Sequence, residues 1–219
     1  MANDQVWEAF AAGARQLGIE LAPGQLEKLR RFEQLLREWN ERVNMVSRKD
    51  IDRLAAYHFT DSLTATALIP QGASVCDVGT GGGLPGIPLK IARDDISMVL
   101  VDSIGKKARF LELAVKELGL EKTSVRDVRA EQIRDLRVDV VLCRLVGKTD
   151  AMARTLAGLL KPGGIVILYK SATVEVELER AQPVLNRLHL KVSEVRDFPL
   201  PSSTRRLVVL ARSGDTIPN

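Results

Sequence analysis

From Ser74 onward, short runs rich in β-branched residues alternate with helical stretches. This alternation is typical of βαβ units that pair into a parallel sheet with helices on its faces. We predict strands at Ser74–Val78, Met98–Asp102, Ser124–Arg126, Val138–Cys143 and Ile165–Tyr169. We predict helices between them near Ile87–Ala92, Lys106–Leu118, Ala130–Ile133 and Asp150–Leu160. The last of these helices is expected to stop before a tight turn at Pro162, Gly163 and Gly164.

The end of the chain predicts a change of strand direction. After a helix at about Val174 to Leu185, two strands are expected at Leu190–Asp197 and Arg205–Arg212. Pro199 and Pro201 in their connection suit a hairpin. The predicted fold is therefore α/β and Rossmann-like, with a mostly parallel sheet that closes in an antiparallel hairpin.

The first 69 residues predict a helical cap. Apolar residues recur at three- and four-residue steps from Leu26 to Val43, which indicates one long amphipathic helix. A shorter helix is expected from Val6 to Leu17, and a third region from Asp50 to Leu68. We divide the chain into a cap at 1–69, a domain at 70–213 and a flexible tail at 214–219.

Composition narrows the class of protein. The chain is 45% hydrophobic and 27% charged, which is ordinary for a globular protein. It has no apolar run near the roughly 20 residues that span a bilayer. We expect no secretory signal, because the first residues show no basic region followed by an apolar stretch. Its two cysteines, Cys76 and Cys143, have no metal-spaced partner. We expect a cytoplasmic protein that needs neither a membrane nor a metal.

A glycine-rich loop follows the first predicted strand. Asp77 lies at the end of that strand, and Gly79, Gly81 and Gly83 open the crossover to a helix. Without side chains, these glycines let the backbone turn tightly and approach a ligand where such sheets bind nucleotides. Asp102 ends the second strand, where a carboxylate can accept hydrogen bonds from both hydroxyls of a ribose.

Two cofactors compete for this loop. Gly81, Gly83 and Gly86 match the dinucleotide fingerprint, which leaves an NAD(P)-dependent oxidoreductase open. Asp77 favours S-adenosylmethionine instead, because that molecule carries a cationic amino-acid group and a sulfonium, whereas a pyrophosphate gains nothing from a nearby carboxylate. A third alternative is a non-catalytic RNA-binding or assembly protein with a vestigial pocket.

Several motifs occur in one order along the chain. They are Trp39-Asn40-x-x-x-Asn44, His58-x-x-Asp61-Ser62-Leu63, the loop Asp77–Leu89, Asp102-Ser103-x-x-Lys106, Arg129-Ala130-Glu131 and Cys143-Arg144. From about Leu17 to Arg212, this series resembles the ribosomal RNA small subunit methyltransferase G family, also called glucose-inhibited division protein B. The resemblance implies a class I methyltransferase that uses S-adenosylmethionine to methylate guanine N7 at one site of bacterial 16S ribosomal RNA.

The resemblance also implies site residues. It places the cofactor pocket at Gly79, Leu84, Ala130, Glu131 and Arg144. The acidic charges and the tight backbone of the loop region add Asp77, Gly81 and Asp102 as expected cofactor contacts. Two departures from the family pattern, Leu145 and Ser171, fall at the expected RNA-facing edge of the sheet and leave a different RNA target open.

Basic residues concentrate in one part of the chain. Between Arg134 and Lys170, seven basic residues stand against three acidic ones, an excess of four that equals the net charge of the whole chain. A solvated face explains such a run, and so does a nucleic-acid partner. We predict Arg144, Lys148 and Lys170 as contacts to phosphate or guanine of 16S ribosomal RNA or the small ribosomal subunit.

The reaction implied by the resemblance predicts neither a general base nor a catalytic residue. Guanine N7 has a lone pair and no proton, so holding it in line with the methyl group is sufficient. We expect His58 and Asp61, three residues apart, to form a buried pair that joins the cap to the sheet. No extra apolar face indicates an oligomer, and a monomer is expected.

Overall fold

The computed structural model describes residues 2–47, 50–144, 147–200 and 203–214. The helices in these ranges are α1 (Ala2–Gln16), α2 (Pro23–Asn40), α3 (Thr60–Leu63), α4 (Gly86–Ala92), α5 (Gly105–Glu117), α6 (Thr149–Gly158) and α7 (Glu175–Arg187). The strands are β1 (Ser74–Val78), β2 (Ser97–Asp102), β3 (Thr123–Asp127), β4 (Val138–Arg144), β5 (Leu160–Ser171), β6 (Leu190–Leu200) and β7 (Ser203–Arg212). A π-helix spans Leu54–Phe59, and 3₁₀ turns lie at Ile51–Arg53, Thr66–Leu68 and Ala130–Gln132.

The seven strands form one sheet in the order β3-β2-β1-β4-β5-β7-β6. Strands β1 to β5 are parallel, and β7 runs antiparallel between β5 and β6. The predicted Rossmann-like sheet with a C-terminal antiparallel hairpin is confirmed. The strand order reverses between β1 and β4, so the loop after β1 lies at the switch point where such sheets bind ligands.

Helices cover both faces of the sheet. On one face, α4, α5 and the N-terminal helices share a single hydrophobic core with residues such as Leu100 and Phe110. On the other face, α6 and α7 bury residues such as Leu156 and Leu185. The buried strands therefore read as near-continuous apolar runs, as parallel strands covered on both sides do.

Aromatic side chains join the N-terminal helices to the sheet domain. Phe32 of α2 stacks on Phe59 with ring centroids 5.4 Å apart, and it also faces Phe110 of α5 at 6.4 Å. Trp7 and Phe10 of α1 are almost completely buried beside them. The residues predicted as a cap thus contribute to the same core as the sheet.

Four local predictions differ from the structure. The helix expected to reach Val43 ends at Asn40, whose side-chain oxygen accepts the N–H groups of Met45 and Val46 and turns the chain away. The helix expected at Ala130–Ile133 is only a 3₁₀ turn. The turn predicted at residues 162–164 lies inside β5, where the pairing with β4 shifts register. Strand β6 continues through Pro199, whereas Pro201 lies outside the described residues.

Within the described ranges, no helix combines the length and the apolar character that crossing a bilayer requires. Of the predicted tail, only Gly214 is described, and it has a φ of +102°.

Candidate cofactor and substrate site

Asp77 is fully buried at the end of β1 and organises the loop that follows. Its Oδ2 atom accepts hydrogen bonds from Thr80 Oγ1 at 2.6 Å and from the Gly86 N–H at 2.8 Å. Its Oδ1 atom is buried without a hydrogen-bond partner in the described part of the chain. Burial raises the pKa of Asp77 to about 6, although the two hydrogen bonds oppose that rise. The carboxylate therefore offers a free acceptor beside the glycine loop.

Two glycines of this loop are required by its geometry. Gly81 has a φ of +58°, in the left-handed region that side chains disfavour. A Cβ atom on Gly86 would lie 2.4 Å from Leu100 Cδ2 and 2.8 Å from Asp77 Oδ2. Only glycine at position 86 lets α4 begin directly against β1 and β2.

Asp102, at the end of β2, connects the glycine loop to the loop after β2. Its Oδ2 atom accepts the N–H of Gly81 and its Oδ1 atom accepts the N–H of Ile104, both at 2.9 Å. The side chain is largely buried but borders a cavity. Each carboxylate oxygen has a second lone pair, so Asp102 can still accept bonds from the hydroxyls of a ribose.

A cavity of about 470 Å³ opens at the carboxyl edge of the sheet. Four residues predicted as cofactor contacts line it: Gly79, Asp102, Ala130 and Glu131. Three predicted contacts, Asp77, Leu84 and Arg144, do not line it, and Gly81 reaches it only through its bond to Asp102. Their roles as cofactor contacts stay predictions.

Sequence reasoning missed several residues that line this cavity. Ile104 is about half exposed beside it, although it is a large apolar residue. Lys107 and Met152 also line the cavity. One sequence signal could have marked Ile104 as a cofactor contact, namely its position two residues after Asp102 at the end of a strand. An apolar side chain at that position provides a wall for a flat ring.

The residues present fit a nucleoside cofactor with a cationic end. The volume lies within the roughly 300 to 1,000 Å³ that is typical of small-molecule sites. Asp102 supplies the acceptor for a ribose, Ile104 an apolar wall, and Asp77 a buried free oxygen near the glycine loop. In the described ranges, no three His, Cys, Asp or Glu side chains form a group able to hold a metal ion.

A second buried charge cluster lies at the same edge of the sheet. Asp61 of α3 is fully buried and accepts Arg144 Nη1 at 3.0 Å, Arg205 Nε at 2.6 Å and Arg205 Nη2 at 3.0 Å. Arg205 also donates to the Lys170 carbonyl oxygen at 2.9 Å. This cluster joins α3 to β4, β5 and β7. Arg205 was missed because nothing in a hairpin strand marks one arginine as a partner for a distant aspartate.

The predicted pair between His58 and Asp61 is wrong. Two guanidinium groups occupy the Asp61 carboxylate, and His58 Nε2 lies instead 3.2 Å from Asp50 Oδ1. Burial lowers the pKa of His58, and the positive charge of Arg144 lowers it further. Asp61 still joins the predicted cap to the sheet, but it does so through arginines.

The predicted RNA contacts have different environments. Arg144 is buried against Asp61, whereas Lys148 is exposed at the start of α6. Lys170 Nζ lies 2.6 Å from Glu177 Oε1, which also accepts the N–H and the hydroxyl of Thr149. Of the two departures, Ser171 is exposed at the end of β5, and Leu145 lies outside the described residues.

A cavity larger than the cofactor cavity lies elsewhere in the molecule. It measures about 710 Å³ and is bordered by α1, the π-helix and β6, with mostly apolar residues such as Leu63 and Phe198. None of the predicted site residues lines it, and we place the cofactor at the smaller, polar cavity for that reason.

The sheet order, the acidic residue before the glycine loop and the nucleoside-sized cavity define a class I S-adenosylmethionine-dependent methyltransferase. Solved methyltransferases share the fold. The magnesium protoporphyrin IX methyltransferase of Synechocystis PCC 6803, solved with bound S-adenosylmethionine, matches with a TM-score of 0.60 at 16% identity and covers 83% of this chain and 97% of its own. The precorrin-6y C5,15-methyltransferase of Geobacter metallireducens matches with a TM-score of 0.55 at 14% identity, over 77% of this chain and 91% of its own.

Sequence comparison narrows the class to one family. The family model described as rRNA small subunit methyltransferase G matches residues 25–207. Proteins named ribosomal RNA small subunit methyltransferase G are 37% identical in Lachnoclostridium phytofermentans, over 94% of this chain and 89% of the relative, and 33% identical in Bacillus subtilis, over 95% and 91%. The chain belongs to the rRNA small subunit methyltransferase G family. The predicted resemblance is confirmed, the protein is a methyltransferase, and its cofactor is S-adenosylmethionine rather than NAD(P).

Proposed function

We propose that this protein methylates N7 of one guanine in bacterial 16S ribosomal RNA. The observation that carries the proposal is the family match over residues 25–207, combined with a cofactor cavity at the same sheet edge as the predicted basic contacts. The relatives are named for methylation of small-subunit ribosomal RNA. An RNA substrate also supports action in the cytoplasm.

The proposed reaction requires the side chains to position the substrate and the cofactor, and it requires no proton transfer by the protein. When bound, S-adenosylmethionine supplies an electrophilic methyl group on its sulfonium. Because guanine N7 presents a lone pair and no proton, no residue of the chain has to act as a general base. The task of the protein is to hold the base in line with the methyl group, because correct alignment of the reacting atoms lowers the barrier to transfer.

Each proposed residue has a binding role. Asp102 accepts the ribose hydroxyls, Ala130 and Glu131 flank the adenine, and Gly79, Gly81 and Leu84 shape the loop around the cofactor. Asp77 Oδ1 has no hydrogen-bond partner among the residues that the structure describes, and this buried oxygen suits the cationic end of the cofactor.

Arg144, Lys148 and Lys170 are proposed to hold the RNA. Asp61 receives only one nitrogen of Arg144, so this guanidinium retains donors for the O6 edge of guanine. Lys148 is exposed and suits a phosphate. Lys170 would exchange Glu177 for a phosphate when RNA binds.

The deciding experiment measures methyl transfer from labelled S-adenosylmethionine to small ribosomal subunits and, separately, to naked 16S RNA, both from cells lacking the modification. Digestion to nucleosides should yield 7-methylguanosine from one site. A different methylated nucleoside would support a methyltransferase with another RNA target, which the departures at Leu145 and Ser171 allow. Binding of RNA without any transfer would support a non-catalytic RNA-binding protein.

A matched pair of variants tests the cofactor site. Asp102→Asn should weaken S-adenosylmethionine binding about tenfold or more, because a charged acceptor is replaced by a neutral one. Asp127→Asn is the control, since Asp127 occupies the equivalent end of β3 in register with Asp102 but does not line the cavity. Calorimetric titration measures both affinities, and equal affinities would remove Asp102 from the site.

We also propose that the protein acts as a monomer. Sedimentation equilibrium should give the mass of one 24.1 kDa chain. A dimer mass at micromolar concentration would overturn this.

A further inference from the structure

Three arginines converge on a cavity beside the cofactor cavity. This cavity measures about 300 Å³ and lies between the 3₁₀ turn at Ala130–Gln132 and helix α6. Arg134, Arg137 and Arg154 line it. Ala130 and Glu131 line both this cavity and the cofactor cavity, so the two cavities share a wall.

Together with Lys148, these arginines are the members of the basic run that have no carboxylate partner among the described residues. Other members of the run have carboxylate partners: Arg144 pairs with Asp61, Lys161 with Asp139 and Lys170 with Glu177. The nearby carboxylate of Asp135 is taken by Arg126, at 2.7 Å.

Among the described residues, none of the three arginines has a carboxylate oxygen within 4.0 Å, including that of Glu131. Arg134 donates to the carbonyl oxygens of Glu131 and Ile133, and Arg137 to those of Arg134 and Leu136. These bonds hold two guanidinium groups at the cavity without neutralising their charge.

Three like charges around one small cavity repel each other, and an anion in the cavity relieves that repulsion. Guanidinium groups match the geometry of phosphate oxygens and donate paired hydrogen bonds to them. A ribosomal RNA strand that delivers its target base to the cofactor cavity would bring flanking phosphates toward the adjacent cleft.

We propose that Arg134, Arg137 and Arg154 form an arginine cleft that binds the RNA backbone near the cofactor site. The inference rests on the proposed RNA substrate and extends the contact surface beyond Arg144, Lys148 and Lys170. The cleft contributes affinity that is independent of sequence, because phosphate contacts position an RNA and do not read its bases.

The test is the salt dependence of binding to naked 16S RNA from cells lacking the modification. Each phosphate contact contributes about 0.7 to 0.9 to the slope of log affinity against log salt. The variant with Arg134→Gln, Arg137→Gln and Arg154→Gln together should reduce the steepness of that slope by about two to three. Its KM for RNA should rise at least tenfold, while kcat stays unchanged.

Arg187→Gln is the matched control. Arg187 is exposed at the end of α7 and donates to the carbonyl oxygen of Pro183, much as Arg134 and Arg137 donate to local carbonyls, but it does not line the cleft. Its slope should equal that of the unchanged protein.

Two further variants keep the test decisive if the triple variant does not fold. Arg154 is exposed on α6, so Arg154→Gln should fold and lower the slope by about one, whereas Arg154→Lys should retain the slope. Unchanged slopes in protein that binds 16S RNA would overturn the arginine cleft and leave the proposed function standing. Protein that neither binds nor methylates 16S RNA would overturn both.

Discussion

At the scale of single residues, Asp61 combines full burial with two ionic partners. Its carboxylate is completely buried and satisfies two arginines, which lie 83 and 144 positions away in the chain. Removing one partner from a buried ionic cluster leaves the remaining charges buried without a counter-charge. The stability lost in this way is larger than the stability that the intact cluster adds relative to apolar residues of similar size. The cluster thereby holds Arg144 and Arg205 in fixed positions at the edge of the sheet.

Asp61→Asn should lower the free energy of unfolding by about 3 kcal/mol, because two buried guanidinium groups then lack a counter-charge. Urea denaturation measures the change. Asp135→Asn is the control, since Asp135 also pairs with an arginine but is exposed, and it should have no measurable effect. Equal stability of the two variants would contradict the assigned importance of the buried cluster.

Asp77 predicts a dependence of stability on pH. Its pKa is about 6 in the folded protein against an ordinary value of 3.8, because burial disfavours the charged form. Between about pH 4 and pH 6, the unfolded chain releases this proton while the folded protein keeps it. The free energy of unfolding therefore falls by about 3 kcal/mol over this range, relative to its value below pH 4. Above pH 6 both states are ionised and the loss is constant.

Asp77→Asn does not titrate and isolates this contribution. The free energy of unfolding of the variant minus that of the unchanged protein should increase as pH rises from 4 to 6 and then level off. Urea denaturation at pH 4, 5, 6 and 7 gives the two profiles. Parallel profiles would show that Asp77 ionises normally in the fold.

At the scale of elements, the unit β1–loop–α4 depends on close contact between helix and strand. Gly86→Ala would push its Cβ to 2.4 Å from Leu100 Cδ2, so α4 must shift, at a cost of about 1 to 3 kcal/mol. The shift would also disturb the Gly86 N–H bond to Asp77 and weaken S-adenosylmethionine binding. Thermal unfolding and calorimetric titration measure the two effects.

Gly24→Ala is the control for this element. Gly24 lies in the first turn of α2, and no atom is within 4 Å of a Cβ added there. Its stability should be unchanged or slightly raised, because alanine favours a helix more than glycine does. Equal thermal stability of Gly86→Ala and Gly24→Ala would contradict the close approach of α4 to the sheet.

At the scale of the whole molecule, one core crosses the predicted boundary at residue 69. Trp7, Phe32 and Phe59 pack in the same cluster as Phe110 and the sheet residues Leu100 and Val140. Elements that share a buried core unfold together, because neither part retains enough apolar contacts alone. We therefore predict that the cap at 1–69 and the domain at 70–213 unfold in one transition.

The two tryptophans make this measurable. Trp7 and Trp39 both lie in the N-terminal segment, and Trp39 faces Phe110 with ring centroids 5.6 Å apart. Their fluorescence reports on the cap, whereas far-ultraviolet circular dichroism reports on all helices and strands. Both signals should have the same urea midpoint, and an earlier fluorescence transition would show that the cap unfolds independently.

Local features of this protein were predictable because they depend on neighbours in the chain. The five parallel strands, the hairpin and most helices follow from hydrophobic periodicity over windows of 5 to 18 residues. The glycine loop was also local, since Asp77 and Gly86 are nine positions apart. Predictions failed where a short-range bond competed with periodicity, as when Asn40 accepted the N–H groups of Met45 and Val46 and ended α2.

The sequence by itself therefore determined the order of elements, the cofactor loop and the family. Only the tertiary structure decided which distant charges meet: Asp61 with Arg144 and Arg205, and Arg134 and Arg137 with Arg154 around one cavity. Such contacts depend on the order of strands in the sheet and on which helices cover each face. Hydrophobic periodicity predicts neither the strand order nor the face that each helix covers, because strand pairing and helix packing join residues that are far apart in sequence.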